Sequence, residues 1–66
     1  PGSLAQVAQV IAENDGNIDN VKMSRKSPES TEVTIDLEVW DLKHLNAIIS
    51  QLKAKSVVSR VHRANG

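Results

Sequence analysis

Apolar residues in the first part of the chain fall at Leu4, Val7, Ala8, Ile11 and Ala12, with Gln6, Gln9 and Glu13 off that stripe. The spacing predicts an amphipathic helix over residues 4–14. Ser3 stands ahead of it as an N-cap, with Gln6 three residues on to complete a capping box, and Gly16 reads as its left-handed stop. Residues 17–26 read as a strand carrying Ile18, Val21 and Met23. The step from an even to an odd position breaks strict alternation, so either the strand starts after Asp19 or a bulge sits near Asn20. Ser27-Pro28-Glu29-Ser30 is a turn. Residues 31–40 give the clearest strand: Val33, Ile35, Leu37 and Val39 face one way, and Glu32, Thr34, Asp36 and Glu38 the other. Asp41 then caps a second helix whose inner stripe is Leu42, Leu45, Ile48, Ile49 and Leu52, with Lys53 and Lys55 near its negative pole. A weaker strand over residues 57–63 and a short tail finish the chain.

The order is helix, strand, turn, strand, helix, strand. One further strand in front makes it βαββαβ, the split-βαβ or ferredoxin-like plan: an α+β fold with two helices on one face of an antiparallel sheet. In the 4-1-3-2 sheet of that plan, the strand ahead of Pro1 is central. Without it, the strand over residues 57–63 has no neighbour and the strand over residues 31–40 bares an edge that another segment or subunit can fill.

Composition narrows the chemistry. Sixty-six residues make one domain near the lower limit for a self-supporting core, and no cysteine is present to reinforce it. With no initiator Met, no basic start and no apolar run long enough for a signal or a membrane span, the chain reads as a soluble, cytoplasmic piece of a longer protein. Eight Lys and Arg balance eight Asp and Glu, so no net field draws in nucleic acid. The absence of Phe and Tyr, and the single Trp, leave no base-stacking platform. Trp40 reads instead as an anchor beneath a helix entrance. His44 and His62 lie on different elements with no metal-type spacing, and each is expected to face solvent; Asp36 and Glu38 are wet-face positions. No catalytic role, metal or cofactor is expected of these residues. Lys53, Lys55, Arg60 and Arg63 form a late basic strip, read as solvated charge or a docking surface.

One candidate site remains. Pro1-Gly2 turns the chain into the first helix, where the N–H groups of Ser3 and Leu4 have no intrahelical partner and suit an anion or carboxylate. Gly2 permits close approach, and Asn17 can hydrogen-bond the other end of a ligand from a neighbouring copy. Pro-Gly and Gly-Asn taken singly are ordinary turn formers. Their joint placement at the two ends of one helix is what points to a ligand.

Pro1-Gly2-Ser3-Leu4-Ala5-Gln6-Val7 followed by Gly16-Asn17-Ile18 resembles the opening of an ACT domain, with its (R/N)-P-G-x-L turn and G-x-N-I segment. Asp15-Gly16-Asn17-Ile18 lacks the residue between Gly and Asn, a departure that bears on where Asn17 points. The stretch Val33 through Leu45, with its Asp41-Leu42-Lys43-His44-Leu45 segment, then Ile48-Ile49, Leu52 and Val57-Val58-Ser59-Arg60-Val61-His62-Arg63, is similar to the C-terminal ACT domain of RelA/SpoT-type (p)ppGpp synthetase/hydrolases. The resemblance implies that residues 1–66 are a regulatory ACT domain whose first strand lies upstream. It implies a homodimer formed by ACT–ACT pairing and a small-molecule effector, an amino acid, held by Gly2, Ser3, Leu4, Asn17 and Ile18. It implies control of the stringent response through distant GTP pyrophosphokinase and hydrolase domains. The alternative is a docking or oligomerisation module without a small ligand, resting on other domains of its parent or on the ribosome; no membrane is involved.

Overall fold

A computed structural model describes residues 3–64. Its elements run α1 (Ser3–Glu13), β1 (Asn17–Ser27), β2 (Ser30–Glu38) and α2 (Leu42–Lys53). The strands pair antiparallel as a two-stranded sheet, an α+β ferredoxin-like arrangement.

Helix α1 packs through Val7, Val10 and Ile11, at the i, i+3, i+4 spacing of one helical face. Val10 is buried and Ala12 exposed, so the face is turned slightly from the stripe expected from the sequence. Ser3 is the first helical residue and stands inside the helix where an N-cap ahead of it was expected. The helix ends in a Schellman motif: the Gly16 N–H donates to the Ile11 carbonyl at 2.9 Å and the Asp15 N–H to the Ala12 carbonyl at 3.1 Å. The left-handed residue there is Asp15, with φ of 62°, and not Gly16. Gly16 is required for a different reason, close packing: a Cβ on it would lie 2.8 Å from Ile11 Cγ2 and 3.0 Å from Ile48 Cδ1.

In the sheet, Ile18 pairs with Leu37, Val21 with Ile35 and Met23 with Val33. A register shift between Ile18 and Asn20 leaves Asp19 as the extra residue. That bulge puts Ile18 in phase with Val21 and Met23, which settles the broken alternation of β1. A second irregularity falls between Arg25 and Ser27, next to the Pro28-Glu29 turn, where Arg25 Nη1 donates to the Pro28 carbonyl at 3.1 Å.

Val10, Ile11, Ile48 and Leu52 form the core, with Val7, Ile18, Ile35, Leu37, Val39 and Val61 packed against it. Leu42, expected on the inner stripe of α2, is 57% exposed. Residues 57–63 are not a strand: the chain leaves α2 through a turn in which the Val58 N–H donates to the Lys55 carbonyl at 3.1 Å, and continues irregularly. Backbone groups form a ladder only beside a partner, and among the described residues β2 is paired on one side alone. Val58 and Val61 are nonetheless half-buried, and Val61 packs against the core.

Candidate functional site

Of the ligand residues expected from the sequence, Gly2 lies outside the described residues. Ser3 is exposed and Leu4 half-buried at the start of α1, where the first N–H groups of any helix lack intrahelical acceptors. Asn17 is exposed at the start of β1, and its Nδ2 donates to Asp19 Oδ1 at 3.1 Å. Ile18 is half-buried, with its side chain packed against the core and not turned out toward a ligand. The two groups of residues sit at opposite ends of α1, eleven residues and about 16 Å apart. The chain by itself therefore does not bring them around a single small molecule.

Among the described residues, a connected set of polar contacts lies elsewhere, where the end of α1 meets the start of α2. Asp41 is the N-cap of α2, and its Oδ1 accepts from the His44 N–H at 2.8 Å. His44 is 9% exposed, contrary to the solvent-facing position expected from the sequence. Its Nδ1 accepts from the Trp40 N–H at 3.0 Å, and its Nε2 bonds the Asn14 carbonyl. Asn14 also donates from Nδ2 to the Val10 carbonyl at 2.8 Å. The Trp40 indole stacks on the imidazole with ring centroids 4.3 Å apart and is itself 75% exposed, an outward lid on the helix entrance and not an anchor beneath it. The signal that could have placed His44 is its register: His44, Ile48 and Leu52 recur every four residues, and all three are buried.

Lys53 and Arg60 from the basic strip line one shallow depression of about 260 Å³ with Val58, Ser59 and Val61. His62 is exposed, as expected. Among the described residues, no group of three His, Cys, Asp or Glu side chains is placed to hold a metal, and no helix is long and apolar enough to cross a membrane.

Comparison with known proteins places this geometry in a family. The ACT domain family matches residues 1–63. The GTP pyrophosphokinase rsh of Brucella abortus is 61% identical over all 66 residues, as is that of Brucella ovis, and in both the matched segment is 9% of the relative. The L-threonine ammonia-lyase of Geobacter sulfurreducens is 39% identical over 57 residues, covering 80% of this chain and 14% of that enzyme. No solved structure matches. The chain thus spans about a tenth of the length of the curated relatives it resembles. With the family matched from Pro1 to Arg63 and the helix–strand–strand–helix order it accompanies, the chain belongs to the ACT domain family.

Proposed function

We propose that this chain is the regulatory ACT domain of a GTP pyrophosphokinase of the (p)ppGpp synthetase/hydrolase type, and that it senses an amino acid between two paired copies. The observation that carries the reading is the 61% identity over the whole chain to a small segment of such enzymes. A second relative, the ammonia-lyase, matches over a comparable segment although its name denotes unrelated chemistry. A segment common to enzymes of unrelated chemistry fits a control module better than a catalytic one.

The proposed ligand geometry follows from the two ends of α1. A carboxylate suits the unpaired amides at Ser3 and Leu4 of one copy. Its ammonium suits the Asn17 turn of the other copy, where Asp19 supplies a carboxylate next to the Asn17 amide. Binding controls the distant domains only insofar as the amino acid favours one arrangement of the pair over another. Titrating the twenty amino acids while following backbone amide shifts tests this. At least one is expected to move Ser3, Leu4 and Asn17 together; if those amides stay still for every amino acid, sensing at this site is wrong. A docking role is the second reading, favoured by the depression that gathers Lys53 and Arg60. It is expected to show as loss of control on charge reversal there, with amino-acid binding intact.

A further inference from the structure

We propose that His44 is a proton-sensitive latch, which ties Trp40 to the end of α1 only while its imidazole is neutral. The hydrogen bonds assign the tautomer. The Trp40 main-chain N–H can only donate, so Nδ1, 3.0 Å away, carries no proton. The ring proton is then on Nε2, where it is donated to the Asn14 carbonyl. In this state one neutral ring links the β2–α2 corner to Asn14, the residue that follows α1, under a stacked indole.

A second proton goes to Nδ1, because Nε2 already has one. The Trp40 N–H then faces another N–H, and a bond that requires a lone pair is lost. The Nε2–H bond to Asn14 survives and gains a charge, at the carbonyl end of α1 where a cation is favoured. Protonation therefore loosens the Trp40 corner and keeps the tie between helices. Four charged residues lie on the segments that meet the ring. On the corner, Asp41 is already engaged by the His44 N–H at 2.8 Å, and Lys43 is the neighbour on α2. On the α1 side the ring meets a main-chain carbonyl, with Asp15 following it; on β2, Glu38 is the last strand residue. Both ring nitrogens are bonded to main-chain groups and neither to a carboxylate.

Trp40 is the single tryptophan, so the latch has a built-in reporter. The test lowers the pH of the 66-residue chain from about 8 to about 5, the range in which imidazoles gain a proton. Three signals are followed: indole emission, the Trp40 amide proton, and the ring nitrogens of His44 and His62 by NMR. At the upper pH, His44 is expected as the Nε2–H tautomer. On acidification the emission changes, and the Trp40 amide loses its hydrogen-bonded shift and exchanges several-fold faster relative to Leu45. His44→Gln, which can keep the donor to Asn14 but cannot titrate, is expected to abolish the transition; His62→Gln is expected to leave it unchanged. An Nδ1–H tautomer at the upper pH overturns the proposal. So does a ring that stays neutral throughout, or one that titrates without moving the Trp40 amide. These readings come from the wild-type chain and hold even where the Gln variant fails to fold.

Discussion

Asp15 and Gly16 divide a task that a single glycine performs at many helix ends. Asp15 takes the left-handed conformation, and Gly16 provides the space for Ile11 and Ile48 to come within contact of the backbone. The two positions therefore respond to substitution with opposite signs. Gly16→Ala puts a methyl 2.8 Å from Ile11 Cγ2, inside a pair of fully buried isoleucines with nowhere to retreat. It is expected to destabilise the chain by about 1–3 kcal/mol, as overpacking does. Asp15→Gly removes the steric cost of a left-handed β-carbon, offset in part by a freer unfolded chain, for a net gain of up to about 1 kcal/mol. Urea unfolding of both variants checks this; equal losses at the two positions would show that the strain and the crowding have been assigned wrongly. An Asp-Gly pair in a sequence announces a helix stop without saying which member is left-handed, because Asp tolerates that region when the next N–H closes the cap.

At the scale of elements, what was legible in the sequence is what local periodicity dictates. Alternation in β2 placed Val33, Ile35, Leu37 and Val39 on one face, and all four are half-buried. The phase break in β1 left either a strand starting after Asp19 or a bulge near Asn20, and the structure has the bulge, at Asp19, in a strand that starts at Asn17. The cap of α2 was also legible, since Asp41 is followed at the third position by the amide it accepts from. Asp41→Ala is expected to cost about 1 kcal/mol, the usual worth of an N-cap, and to shift the His44 amide resonance most. Thermal unfolding with amide spectra checks both; an unshifted His44 amide counts against the cap. The candidate site was less legible for a physical reason. Asn17 and Ser3 were named by their turn chemistry, but the length of α1 separates them within one copy. His44 was misplaced because a polar residue near a helix start reads as solvated, although its four-residue spacing from Ile48 and Leu52 carries it to the buried stripe.

The whole molecule is governed by the free edge of β2. A two-stranded ribbon is marginal by itself, and here the core cluster supports one end of it through Ile18, Ile35 and Leu37. Farther along the same face, Val21 is 36% and Met23 59% exposed. In the βαββαβ order, a strand ahead of Pro1 would lie between β2 and residues 57–63, giving each a backbone partner. Val58 and Val61 are half-buried with irregular backbone, and Val61 packs against the core. Their side chains are therefore placed before their hydrogen bonds are. A protein extended upstream through that segment is expected to convert residues 57–63 into a strand, seen as slowed amide exchange and extended-backbone shifts at Val58 and Val61. It is also expected to unfold with a steeper urea dependence, since that slope grows with the surface exposed on unfolding. An extended protein in which Val58 and Val61 stay irregular, while β2 gains a partner, would mean that their burial needs no ladder at all. The free edge would then belong to the upstream segment alone, and the last part of the chain would be held by Val61 against the core.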